Sequence, residues 1–127
     1  MLPLRHRRLW IALSAVLVAA VVFGSLQPTL AMPVPGGLDK LEHALVYLAL
    51  AWWFTGLYPR GGYWKVVAGL LALGLAMELL QGWMQLGRQA ELLDMVANAV
   101  GVAAGLALAL AATGGWTHKV ESWLSPN

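Results

Sequence analysis

The strongest constraint on this chain is a run of apolar residues long enough to cross a bilayer, met four times within 127 residues. The runs extend from Trp10 to Leu26, Leu41 to Tyr58, Trp64 to Leu86 and Leu92 to Ala112. Each holds about 17–23 residues, which at ~1.5 Å per residue covers a hydrocarbon core of ~30 Å. Lipid offers no partner for backbone N–H and C=O groups, so each run has to be helical. None shows the period-two alternation of a barrel strand. The expectation is a single all-α domain over residues 1–127, an integral membrane four-helix bundle with helices over 10–26, 41–58, 64–86 and 92–112.

Composition supports the same reading. Hydrophobic residues make up 60% of the chain and charged residues 11%, whereas a soluble domain carries about a quarter charged residues. The isoelectric point near 9.3 does not indicate nucleic acid as a partner, because no basic patch interleaved with aromatics is present. The absence of cysteine excludes disulfides and thiolate chemistry. Histidines at 6, 43 and 118 are too scattered for a histidine-rich centre. No metal set is therefore expected, although a carboxylate-rich site around His43 could hold an ion.

Three connectors follow from turn-forming residues. Pro28, Pro33, Pro35 and the Gly36-Gly37 pair make 27–38 irregular, Pro59-Arg60-Gly61-Gly62 forms a tight turn, and 87–91 joins the last two runs. Arg5, Arg7, Arg8, Arg60, Lys65 and Lys119 fall on one side of the spans, and Lys40 and Arg88 on the other. Excess Lys and Arg marks the cytoplasmic side, so both termini are expected in the cytoplasm, with the chain in the inner membrane of a bacterium. Trp10, Tyr63, Trp64 and Trp116 then mark the inner boundary and Trp83 the outer one. Trp116, Val120, Trp123 and Leu124 recur at helical spacing, as in a short C-terminal interfacial helix; a frayed end is the alternative. Arginines ahead of the first run and Thr29-Leu30-Ala31 after it also resemble a secretory signal. Its apolar core is longer than a typical signal's, so the run is read as a span.

With this topology, five of the six acids lie toward the outer side: Asp39, Glu42, Glu78, Glu91 and Asp94. A rule about Lys and Arg does not produce that bias. Asp39, His43 and Tyr47 step by four, Glu78 and Gln81 by three, and Asp94, Asn98, Gly101 and Gly105 share one stripe. Counting ~1.5 Å per residue, Glu78 lies roughly 7 Å below Trp83, and His43 and Asn98 each about 6 Å below the acid one turn earlier. His43, Glu78 and Asn98 thus come from three helices into one shallow layer, with Arg88 in the loop above. An ionisable group at such depth indicates function by default, and interhelical polar glue is the competing reading. Gly101 and Gly105, flanked by Ala97 and Ala104, read as a close-packing stripe.

These residues also carry a family resemblance. Asp39-Lys40-Leu41-Glu42-His43 with Tyr47 resembles the DKxxH…Y signature of VanZ-like membrane proteins. Glu78 and Gln81, then Arg88, Glu91, Asp94, Asn98 and Gly101, resemble that family's ExxQ…R…D…N..G pattern, with least weight on Glu91. The resemblance covers nearly the whole chain and implies a small multi-helix membrane domain. The family is associated with resistance to teicoplanin, a glycopeptide acting on cell-wall precursors outside the membrane.

Three functional readings compete. In the first, Lys40 and Arg88 engage an anionic lipid headgroup or a lipid-linked envelope precursor. Asp39, Glu91 and Asp94 hold those cations in place or bind a divalent ion shared with the headgroup, with Tyr47, Gln81 and Asn98 around them. In the second, a membrane enzyme uses His43, Glu78 and Asp94 for acid–base chemistry on a lipid-linked substrate. In the third, the bundle is a structural helper of an envelope complex, working through its glycine stripe. The sequence names no cofactor, and an apolar inner half argues against a channel.

Overall fold

The computed structural model describes residues 1–25, 36–84 and 92–124, the side chains of 36–39 and 84 excepted. They form α1 (Arg7–Ser25), α2 (Gly36–Thr55), α3 (Tyr63–Met84), α4 (Leu92–Leu108) and α5 (Trp116–Leu124), with no strand among the described residues. A 3-10 turn at Arg60–Gly62 leads into α3, and a π-helical turn at Ala109–Thr113 ends α4. Three segments are long and apolar enough to cross a membrane: Arg7–Ser25, Arg60–Trp83 and Leu92–Thr113.

Helix α2 has 20 residues and begins five positions before the expected start at 41. Its first turn absorbs the Gly36-Gly37 pair that reads as connector in the sequence. The first amides of a helix have no intrahelical partner in any case, and an acid at position 39 suits the positive end of the helix dipole. Asp39, Lys40 and Glu42 put three charges near the start of α2, which separates it from the three segments apolar enough to cross a membrane.

Close approach of α4 to α2 organises the interior. A Cβ added at Gly101 would run into the Ala44 carbonyl oxygen, and one at Gly105 would come within 2.6 Å of the Ala51 Cβ. Backbone therefore lies against backbone along this stripe, as small residues permit. Helix α3 joins at Gly74, where an added Cβ would sit 2.9 Å from Asn98 Nδ2 and 3.4 Å from the Tyr47 hydroxyl. Tyr47, Leu50, Ala51, Val66, Leu70 and Val102 fill the core, and Leu17 and Val21 of α1 pack on its side. The buried residues of α1 are Trp10 and Ser14, both in its first half.

The end bearing the termini is fastened by indoles. Trp116 stacks on Trp52 at 4.5 Å with rings 2° from parallel, and meets Trp10 edge-on at 5.6 Å. Its Nε1 donates to the Trp52 carbonyl at 3.1 Å, and Thr117 donates to the Gly56 carbonyl at 2.5 Å. Only glycine fits at 56, because an added Cβ would overlap the Trp116 ring. The tail is thus a docked helix. Trp10 and Tyr63, expected as boundary anchors, are buried, whereas Trp64, Trp83 and Trp123 are exposed. The stripe expected to share one face of α5 divides: Trp116 and Val120 pack inward, and Trp123 and Leu124 face outward.

Candidate functional site

The opposite end gathers the polar residues. Helices α2 and α4 meet through an ion pair between Lys40 Nζ and Asp94 Oδ1. One turn along α2, His43 lies between two α4 side chains: Nδ1 is 3.0 Å from Asn98 Oδ1, and Nε2 is 3.7 Å from Asp94 Oδ2. An amide oxygen only accepts, so Nδ1 donates and Nε2 is the nitrogen turned toward Asp94. Glu78 comes from α3 and is 3% exposed, and one donor atom each from His43, Glu78 and Asp94 all lie within 4.8 Å of one another.

The four-residue steps position this cluster. Positions 94 and 98 fall on the face of α4 that continues into Gly101 and Gly105. The stripe that presses α4 against α2 therefore aims Asp94 and Asn98 at Lys40 and His43. Tyr47, one turn below His43, is buried. Gln81 donates to the Ser25 carbonyl at 2.5 Å, tying α3 to the last turn of α1. A cleft of about 320 Å³ opens beside the cluster, lined by Ala20, Val21, Gly24 and Ser25 of α1, Glu42, His43, Val46 and Tyr47 of α2, and Gln81 of α3.

Of the residues singled out in the sequence, Lys40, His43, Glu78, Asp94 and Asn98 come together, with Tyr47 and Gln81 on the cleft side. Gly101 and Gly105 lie at the α2–α4 contact. Arg88, Glu91 and the Asp39 side chain fall outside the described residues. Gly74 was not anticipated; its step of four to Glu78, on one face of α3, was the available signal. Ser25 enters through its backbone carbonyl, which no side-chain pattern announces.

A third buried carboxylate, Glu121, sits at the other end. Glu121 accepts hydrogen bonds from the Arg5 and His6 amides at 2.8 and 2.9 Å and from Trp10 Nε1 at 2.9 Å. Burial pushes its carboxyl up, but the His6 and Arg5 amides, the Trp10 indole and the nearby His6 ring together hold it below the ordinary glutamate value. The amides belong to residues just ahead of α1, so Glu121 satisfies donors at a helix start from 115 positions away. Helical spacing on α5 gave no hint of that partner.

No family model matches this chain, and neither the curated proteins nor the solved structures searched contain a match.

Proposed function

We infer that this is a four-span membrane protein whose polar cluster receives the anionic headgroup of a lipid or of a lipid-linked cell-envelope precursor. Helix α2 is the fourth span: its 20 residues reach ~30 Å at 1.5 Å per residue, with the polar start at the outer interface. Both termini are cytoplasmic, following the Lys and Arg distribution. The resemblance to VanZ-like proteins agrees with this placement, since that family is tied to a glycopeptide acting on precursors at the outer face.

The observation that carries the reading is the cleft. It joins polar groups of Glu42, His43, Tyr47 and Gln81 to apolar walls of Ala20, Val21 and Val46, the pairing an amphiphile needs. A headgroup at its polar end meets Lys40, which Asp94 holds in position. The sequence adds Arg88, whose guanidinium suits bidentate contact to phosphate.

A second reading, a membrane enzyme acting on that lipid, is favoured by one feature. His43 is oriented by Asn98 on one nitrogen and directed at Asp94 with the other, the arrangement in which an imidazole can exchange a proton.

Lipid and wall-precursor profiles of cells lacking the protein, complemented with wild type or Glu78→Gln, separate the two. A species restored by wild type alone identifies an enzyme and its substrate class. Unchanged profiles, together with binding of anionic over zwitterionic lipid by the purified protein, identify a headgroup-binding protein. Equal retention of both lipids would remove the headgroup reading.

A further inference from the structure

We propose that His43, Glu78 and Asp94 form a binding site for one divalent transition-metal ion, Zn²⁺ or Mn²⁺. The three donors come from three different helices and lie within 4.8 Å of one another. Ligands sharing an ion at bond lengths of about 2.0–2.2 Å stand roughly 3–4 Å apart, so shifts of under about 1 Å would close the set. One edge already has that length: His43 Nε2 to Asp94 Oδ2 is 3.7 Å, too long for a hydrogen bond and suited to two ligands of one ion.

The surroundings of the donors match what such an ion requires. Metal-binding histidines use the second ring nitrogen to fix their orientation, and His43 Nδ1 is held at 3.0 Å by Asn98. Asp94 divides its oxygens, with Oδ1 on Lys40 and Oδ2 toward His43. Lys40 therefore need not leave for Oδ2 to ligate. Glu78 and Asp94 are 3% and 6% exposed, unlike the solvated acidic patches common on protein surfaces. One imidazole with two carboxylates suits Zn²⁺ or Mn²⁺ better than ions that prefer all-oxygen shells. His43 also lines the 320 Å³ cleft, and three protein ligands would leave coordination positions for water or a substrate oxygen.

The inference rests on the headgroup reading only for what those open positions would meet, a phosphate oxygen. The cation site itself is testable without lipid. Purified full-length protein in neutral detergent is stripped with chelator, loaded with Zn²⁺, desalted and assayed for bound metal, with Mn²⁺ followed in parallel by its spin resonance. Wild type should retain one ion per chain. His43→Ala and Glu78→Gln should each weaken binding about 100-fold or more, and Asn98→Ala about 10–100-fold, the range for loss of a group that orients a ligand. Lys40→Ala should still hold the ion. Near-ultraviolet dichroism of the indole cluster at the far end reports whether each variant is folded. Wild type without metal, or wild type and the His43→Ala variant retaining equal amounts, overturns the site whatever the other variants do. Anionic-lipid binding measured in chelator stands apart: lipid bound without a metal site refutes the ion alone, and metal bound without lipid refutes the headgroup reading alone.

Discussion

The molecule buries two kinds of carboxylate, one at each end, and uses them in opposite ways. Glu121 is surrounded by fixed donors, two backbone amides and an indole N–H, which together occupy both of its oxygens. Its cluster is closed by stacked tryptophans. Asp94 and Glu78 share their space with an imidazole and an ammonium, groups that change partners or protonation, and the cluster borders a cleft. Burial of a charge alone does not distinguish a closed fastening from a cluster with space beside it for a ligand. The nature of the neighbours and the presence of room beside them do.

The sharpest way to break this contrast is Glu121→Ala. It should cost about 3 kcal/mol in stability, since a buried indole and two part-buried amides lose a charged acceptor, as read by detergent or denaturant unfolding. If the variant unfolds like wild type, the terminal end is not fastened as described. Gly101→Leu should follow at about 2–3 kcal/mol, because its side chain meets the Ala44 backbone and drives α4 from α2. The structural-helper reading requires this change to abolish function more completely than Glu78→Gln does, and the site readings require the reverse once the amount of folded protein is matched.

Acid should distinguish the ends at a smaller scale. The folded-state value of Glu121 is lowered, so its contribution is present above the ordinary glutamate value and is lost as pH falls from there through the folded value. A thermal midpoint followed from pH 6 to about 3 should therefore drop in wild type, and the drop should shrink in Glu121→Gln. Thr117→Val should cost about 1 kcal/mol for its single bond to the Gly56 carbonyl. Glu78→Gln should fall at the bottom of this order, under about 1 kcal/mol, because the amide keeps the shape and some hydrogen bonding of the acid. Its effect on headgroup binding or turnover should be the largest, at least tenfold. A Glu78→Gln protein that is strongly destabilised and normally active would reverse the assignment of the two ends.

Much of the site end was legible in the sequence because helical period and depth act on the same residues. Steps of four along α2 and α4 put His43, Asp94 and Asn98 on inward faces, and the glycine stripe ensured that those faces meet. The early start of α2 was not legible, since Gly36-Gly37 carries a turn signal that a first helical turn tolerates. Nor was the terminal end. Glu121 is bonded to residues 115 and 116 positions away, and no local pattern encodes such a distance. Trp10 and Trp116 likewise carry an interfacial signature, and their edge-on contact is a tertiary outcome.

The bond from Glu121 to the start of α1 has a consequence for the order of biosynthesis. Helix α1 is translated before the other described helices and is apolar enough to enter the bilayer on its own, yet two amides at its leading end receive their acceptor only after residue 121 has been made. Until then it is held by the side packing of Leu17 and Val21, the Trp53 bond to Ser14 and the Gln81 bond to Ser25. The leading end of α1 is therefore secured later than its far end, where every residue that lines the cleft has been made by position 81.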